Sequence, residues 1–479
     1  MMNHAKSSRS IRPNMFVVAL GVLLLGGCAT FSADGGFNTV GTITKDRINK
    51  DVIWVRADSD ADTVQITVRK LLASPLSADD AVQVALLNNR GLQATYAGLG
   101  IAEADLVQAG RMTNPHFAYL RTRNGDERKL EWALTFPIID LLTIPLRTKI
   151  EARRFEAVKL AVAGRVVEVG IETRETYVQA LAAEEQVRYM EQVKTAAEAS
   201  ADLARRMARA GNFSKLEHLR EQAFYAEVIA QHARARHAAT AERERLTRLM
   251  GLYGEDTLFK LPERLPDLPS SLPEIKDLEA TALTQRLDVQ AAKRNTESVA
   301  ASLGLTKATR FINVLELGPA STKEDPEPWK RGFEISLQVP IFDWGGARVA
   351  KAEAIYMQAV NRVAETAVNA RSEVREAYFA YRTAYETAKH YREEIVPLRK
   401  KISEENLLRY NGMLISVFEL LADAREQVAS VSASIEALRD YWLAESELQA
   451  SLNGTPGIRG GGVAKIVGGM VPNPALAGH

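Results

Sequence analysis

The chain has 479 residues, with 61 lysines and arginines against 60 aspartates and glutamates, a balance that excludes an electrostatically driven nucleic-acid binder. At 46% apolar and 25% charged it is an ordered, core-forming protein, and a 7% aromatic share with abundant Ala, Glu and Arg favours long helices. A single cysteine excludes a disulfide framework and a thiolate metal cage.

Residues 1–27 read as an export signal. Lys6, Arg9 and Arg12 precede an apolar run from Met15 to Leu25 that is too short to span a bilayer stably, and small residues follow. The sequence Leu25-Gly26-Gly27-Cys28 resembles a bacterial lipobox, in which the cysteine is lipidated, with acyl chains such as palmitate, and becomes the first mature residue. The bland alternative is an ordinary signal peptide with a chance cysteine. Ala29 follows where sorting to the inner membrane would place aspartate, so the resemblance points to the outer membrane. Residues 28–75 show little periodicity and are expected to run as a lipid-anchored, extended N-terminal arm.

The rest of the chain is one unit written twice. Ala85 to Ala94 echoes Ala282 to Ala291, Leu134 to Asp140 echoes Leu337 to Asp343, Glu172 to Tyr177 echoes Glu373 to Tyr378, and Ser214 to Glu217 echoes Ser416 to Glu419. The four spacings fall between 197 and 203 residues, so order and distance are both kept. The first repeat is assigned to residues 76–260 and the second to 275–453. The proline-rich stretch 261–274 is read as a linker, and 454–479 as a mobile Gly/Pro-rich tail.

Each repeat opens on a helical segment, near Ala78 to Arg111 and near Asp277 to Arg310. Two strands follow, within about 114–139 in the first copy and about 309–342 in the second. The first pair is expected near 114–124 and 128–139 around an Asn124-Gly125-Asp126 turn, the second near 309–318 and 331–342 around Pro319, Pro326 and Pro328. Leu130, Trp132, Leu134 and Phe136 alternate with Glu131, Ala133 and Thr135, and Phe333, Ile335, Leu337 and Val339 alternate with Glu334, Ser336 and Gln338. That pattern suits a strand with one apolar and one wet face, either in a membrane barrel or in a half-buried soluble sheet. Arg121 and Arg123 spoil the alternation of the first strand.

A very long helix is expected next, from about Pro145 to Arg209 and again from about Ala347 to Arg409, each reaching about 95 Å. Pro397 should kink or break the second. Turns at Gly211-Asn212 and Asn411-Gly412 lead into shorter helices, about Ser214 to Met250 and Val417 to Leu452. Two short helices stacked end to end could lie beside each long one. No later stretch approaches the roughly 20 apolar residues of a spanning helix, so any membrane part must be β. Four strands cannot close a barrel alone and open edges are not tolerated in hydrocarbon, so several chains must share one.

A lipobox followed by two copies of helix, strand pair, long helix, turn and shorter helix resembles the outer membrane factor family, the TolC-type channels. The resemblance covers roughly residues 75 to 453 and includes Phe342-Asp343-Trp344-Gly345-Gly346, similar to the family's strand-to-helix junction; the first copy has Leu141 to Pro145 there instead. It implies a mostly α fold with a small β portion, in which a long α-helical barrel is continuous with a transmembrane β-barrel shared by a homotrimer. It also implies the outer membrane channel of a tripartite efflux system, lipid-anchored in a Gram-negative bacterium and extending into the periplasm. Its partners would be a periplasmic adaptor (membrane fusion) protein, an inner membrane pump and outer membrane lipid. The alternatives are the exit duct of a type I protein secretion system and, in a different class, a periplasmic coiled-coil scaffold lipoprotein.

On the same resemblance, Gly211, Asn212, Gly412 and Met413 mark the adaptor-contact turns, while Glu217 and Glu419, with Asp423 in reserve, form an acidic periplasmic gate. Against the gate stands the capping box, since Ser214-x-x-Glu217 and Ser416-x-x-Glu419 both match that helix-start motif. Gly211 and Gly412 are expected to supply backbone conformations that a side chain would hinder. The eight residues Leu130, Trp132, Leu134, Phe136, Phe333, Ile335, Leu337 and Val339 are expected to face lipid. An enzyme is not expected, because the chain has no Gly-x-Ser-x-Gly, no phosphate-binding Gly-x-x-x-x-Gly-Lys and no His-Glu-x-x-His. His232 and His237 are five apart, which does not suit two ligands on one helical face, so neither a metal nor a cofactor is expected.

Overall fold

The computed structural model describes residues 30–273, 277–312 and 314–454. The expected signal segment, Cys28 and the Gly/Pro-rich stretch after Gly454 lie outside the described residues. The described residues are mostly helical, with one four-stranded antiparallel sheet among them. In order, it forms α1 (Phe37–Ile48), α2 (Asp58–Leu72), α3 (Ala78–Asn88), α4 (Arg90–Ala109), β1 (His116–Asn124), β2 (Glu127–Pro137), α5 (Ile138–Arg209) and α6 (Lys215–Met250). Then come α7 (Leu278–Gln285), α8 (Leu287–Ala308), β3 (Leu315–Glu324), β4 (Lys330–Leu337), α9 (Gly346–His390), α10 (Val396–Asn411) and α11 (Val417–Asn453).

Five features correct the sequence expectation. The N-terminal arm is not extended through residue 75, because it contains α1 and α2. Asp60 accepts hydrogen bonds from the Arg56 and Ala57 amides, both at 3.0 Å, which closes the start of α2, and Val64 and Val68 bury its inner face. The helical segment before each strand pair is broken in two, at Asn89 and at Arg286. The first long helix starts at Ile138, directly after β2, and runs through Pro145. In the second copy the last strand ends at Leu337 and not near residue 342, the chain from Val339 to Gly345 stays irregular with Gly345 at a φ of 71°, and the helix begins at Gly346, close to the expected Ala347. The fifth is β3, which lies six residues later than 309–318 because α8 continues to Ala308 and Pro319 stands inside the strand.

Pro397 acts as expected. It lacks an amide hydrogen and its ring crowds the preceding turn, and the chain answers with a π-helical turn at Tyr391–Ile395 between α9 and α10.

Two compact units make up the chain. The described part of one comprises residues 30–36, 99–158 and 293–361, and contains the sheet with adjoining segments of α4, α5, α8 and α9. Its helices are tied by Ser298 Oγ donating to the Ile150 carbonyl at 3.1 Å and by the Lys307–Glu353 pair at 2.8 Å. Phe311 and Trp344 stack edge to face beside the end of the sheet.

The other unit comprises 37–98, 159–292 and 362–454. One apolar cluster joins Val64, Leu76, Val84, Tyr177, Leu181, Leu246 and Met250, and a second joins Val374, Tyr381, Tyr385, Tyr441 and Leu448. The described part of the 261–274 stretch is irregular but anchored. Trp442 Nε1 donates to the Pro266 carbonyl at 3.1 Å, the Tyr385 hydroxyl to the carbonyls of Pro269 and Ser270, and Leu265 and Leu268 are buried.

The two helix breaks have the same use. At the first, the Asn88 side chain donates to the carbonyls of Met250 (3.0 Å) and Gly251 (2.8 Å), and Asn89 to Leu249 (2.8 Å), at the C-terminus of α6. At the second, Arg286 donates to the Ser451 carbonyl at 3.1 Å, at the C-terminus of α11. Carbonyls that have no partner within their own helix are satisfied there by a side chain from the break.

Glu175 on α5 is buried in this unit. Burial, followed by the charges of Glu447 and Glu172, pushes its carboxyl up to about 7 despite Arg245. A carboxyl whose folded pKa exceeds its unfolded value holds its proton longer when folded, so stability falls as pH rises from about 4.5 to about 7. Glu175→Gln removes that dependence. It is expected to stabilise at pH 8 by up to about 3 kcal/mol and to change little at pH 4, which thermal melts at the two pH values will check.

Candidate functional site

The sheet runs β1-β2-β3-β4, all neighbours antiparallel, with strands of 9, 11, 10 and 8 residues. These lengths are close to the 9–11 residues of a tilted membrane strand. Register decides which residues share a face, since cross-strand partners point the same way. Phe117 lies opposite Leu134, Tyr119 opposite Trp132, Leu317 opposite both Phe136 and Ile335, Pro319 opposite Phe333, and Leu315 opposite Leu337. All four strands therefore contribute to one apolar face.

The other face is mostly polar or small, with Glu131, Ala133 and Thr135 on β2, Glu316, Gly318 and Ala320 on β3, and Glu334 and Ser336 on β4, and with Leu120 of β1, opposite Glu131, as a large apolar exception. Thr135 Oγ1 donates to Glu316 at 2.9 Å on this side. Gly318 is required by close approach, because a first side-chain carbon there would sit 1.7 Å from the Leu134 carbonyl oxygen.

The structure thus brings the seven expected apolar residues that lie in β2 and β4 onto one surface. Leu130, Trp132 and Leu134 are partly covered, whereas Phe136, Ile335, Leu337 and Val339 are exposed and Phe333 is 74% exposed; Val339 lies just beyond β4. A continuous apolar face left open on a single chain marks an interaction surface. Among the described residues β1 and β4 have no strand partner on their outer sides, so both edges carry free backbone donors and acceptors. Among the described residues no helix is long and apolar enough to cross a membrane.

The two helical turns differ from each other. After α5, Gly211 takes a φ of 79° and the Asn212 amide donates to the Met207 carbonyl at 3.0 Å. After α10, the left-handed position is Met413, φ 57°, whereas Gly412 has φ −78°. The expectation for Gly412 is corrected accordingly, since the amides of Met413 and Leu414 reach back to Tyr410 and Arg409 and move the turn one residue on. Gly211, Asn212, Gly412 and Met413 are all exposed, Met413 at 93%.

The acidic residues after these turns form a graded series. Ser214 and Glu217 make a full capping box. The Ser214 amide donates to Glu217 Oε2 at 2.7 Å and the Glu217 amide donates to Ser214 Oγ at 3.2 Å, which holds the Glu217 carboxyl below the usual carboxylate range. At the second turn the Glu419 amide donates to Ser416 Oγ at 3.4 Å, and Glu419 is exposed. One helical turn further on, Asp423 is buried at 7% exposure, with Oδ2 unpartnered among the described residues.

Its counterpart in the first copy is Glu221, which sequence reasoning missed. It is 2% exposed, accepts from Ser200 Oγ at 2.8 Å through Oε2, and leaves Oε1 unpartnered. The signal was present in the sequence, because Glu221 follows Glu217 by the same four residues as Asp423 follows Glu419. Among the described residues no group of three or more His, Cys, Asp or Glu side chains could hold a metal ion.

Comparison with protein-family models and with characterised proteins gives no match. Comparison with solved structures does. A membrane protein from Pseudomonas aeruginosa superposes with a TM-score of 0.68 at 20% identity, over 81% of this chain and 92% of that one. The Campylobacter jejuni CmeC outer membrane channel gives a TM-score of 0.64 at 16% identity, over 98% and 97% of the two chains. The open state of the Neisseria gonorrhoeae MtrE outer membrane channel gives 0.61 at 17% identity, over 78% and 89%. These superpositions give this chain the fold of the outer membrane factor channels.

Proposed function

We propose that this chain is the outer membrane channel of a tripartite efflux system, passing substrates from an inner membrane pump and a periplasmic adaptor protein across the outer membrane. The observation that carries the reading is the sheet, four antiparallel strands with one apolar face and two open edges. In hydrocarbon every backbone group must be paired, so the edges must meet other copies. Because each chain supplies an even number of strands, β4 of one copy and β1 of the next run antiparallel. Three copies close a twelve-stranded barrel with the apolar face toward lipid and the face bearing Glu131, Glu316 and Glu334 toward the lumen.

In this reading α5 with α6, and α9 and α10 with α11, form the wall of a periplasmic tube, and lipidated Cys28 anchors the N-terminus to the membrane. The exposed turns at Gly211-Asn212 and Gly412-Met413 meet the adaptor. Photocrosslinkers at 212 and 413 are expected to capture one periplasmic partner in cells, and capture of none at either position would count against docking there.

Glu217 and Glu419 from three chains place up to six carboxylates around the periplasmic entrance. Their concentrated negative charge favours cations, and a divalent ion held there relieves their mutual repulsion. Glu419→Gln can still cap α11 but loses its charge, so it separates the two roles. Planar-bilayer recordings of that variant are expected to show a roughly twofold or larger loss of cation preference and weaker divalent block. Unchanged conductance, selectivity and block in the Glu217/Glu419 double variant would reduce both residues to helix caps.

A further inference from the structure

We propose that the apolar face of the sheet ends, beside the two hairpin turns, in a collar that binds phosphate-bearing lipid headgroups through Arg121, Arg123, Arg128 and Arg331. This inference rests on the barrel reading, in which that face meets lipid.

The cross-strand register sorts the face into rows about 7 Å apart. Phe117 with Leu134, and Pro319 with Phe333, belong to the apolar part. The next row is Tyr119, Trp132, Ser321 and Arg331. Beyond it lie Arg121, Leu130 and Lys323, and then Arg123 directly opposite Arg128. The order is therefore apolar, then Tyr and Trp level with Arg331, then Arg121, Arg123 and Arg128 with Leu130 among them. It matches the order of environments across a bilayer surface, where amphipathic rings mark the boundary and the first anions outside it are headgroup phosphates.

Four of the carboxylates near this end are already engaged with lysines, whereas Asp126 and Glu127 stand at the β1–β2 turn beside Arg128. Glu131 and Glu324 pair with Lys129, Asp325 with Lys323 at 3.2 Å, and Glu327 with Lys330. Arg121, Arg123, Arg128 and Arg331 make no ion pair with a described residue, although Arg123 Nε donates to the Gly125 carbonyl at 2.8 Å, and all four are exposed. Like charges directly opposite on neighbouring strands are destabilising, so the Arg123–Arg128 pair calls for an anion between them. Guanidinium forks suit phosphate oxygens, which accept two parallel N–H bonds.

The test is lipid selectivity at the protein surface. Full-length protein is reconstituted in phosphatidylcholine vesicles with spin-labelled phosphatidic acid or spin-labelled phosphatidylcholine, and the motionally restricted fraction of each label is measured. At low salt an about fivefold preference for phosphatidic acid is expected. It should fall below about twofold when all four arginines become glutamine and persist when all four become lysine. Equal restriction of the two lipids by the unsubstituted protein would overturn the collar. So would loss of the preference on adding inorganic phosphate at constant ionic strength, which would indicate a soluble anion instead. No restricted component with either lipid would overturn the barrel reading and the collar with it, which keeps the two failures distinct.

Discussion

Leu337→Arg is expected to destabilise the membrane-inserted protein by about 2 to 4 kcal/mol, the range for an arginine near the midplane on the lipid side of a barrel. Leu337 lies opposite Leu315 on the apolar face, two residues along β4 from Ile335, and is exposed in the single chain. An arginine in a soluble core would also be penalised, so the comparison with Ser336→Arg decides the question. Ser336 lies opposite Glu316 on the polar face, and an arginine there gains a carboxylate neighbour. Equilibrium unfolding from vesicles should show a large loss for residue 337 and less than about 1 kcal/mol for residue 336. A fluorophore at 337 should be quenched from the acyl region, and one at 336 from water. Equal destabilisation, or quenching at neither site from the acyl region, would place the face in a soluble core.

Arg286→Ala is expected to cost about 3 to 5 kcal/mol, because it breaks a buried ion-pair network by removing one partner. Arg286 is 2% exposed and stands at the break between α7 and α8. Its Nε and Nη2 make a bidentate pair with Asp288 at 3.1 and 2.8 Å, while Nη1 meets Glu373 on α9 at 2.7 Å and the Ser451 carbonyl on α11 at 3.1 Å. Three elements lose a common partner in the variant, and the partly buried Asp288 carboxylate loses its counterion. Arg286→Lys keeps the charge but cannot reproduce the planar fork, so it should recover only part of the loss. Thermal unfolding of the three proteins side by side will check the order, wild type above lysine above alanine.

The features legible in the sequence were those with a period or a paired motif. Alternation from Leu130 to Phe136 and from Phe333 to Val339 located β2 and β4, since a period of two has no other common cause. The Ser-x-x-Glu motifs marked the starts of α6 and α11, and Pro397 marked the break after α9. What was missed depends on contacts distant in sequence. The breaks at Asn89 and Arg286 have neither proline nor glycine at the breaking residue; their side chains satisfy helix ends about 160 residues away. Helix α1 rests on a Phe37–Trp54–Tyr96 aromatic group that no local window contains, although Val64, Val68 and Leu71 in α2 did carry a readable helical spacing. Met413 adopts a left-handed conformation beside an available glycine, which local propensity reverses. Arg121 and Arg123 looked like defects in a strand because a single sequence does not reveal where along the sheet a face changes partner.

A channel requires that the sheet be closed by other copies of the chain. Native mass spectrometry of the full-length protein extracted in detergent tests this directly. A shared barrel should give a particle of three chains that resists dissociation in cold SDS and separates on boiling. A particle of one chain that leaves the membrane once its lipid anchor is removed would contradict it.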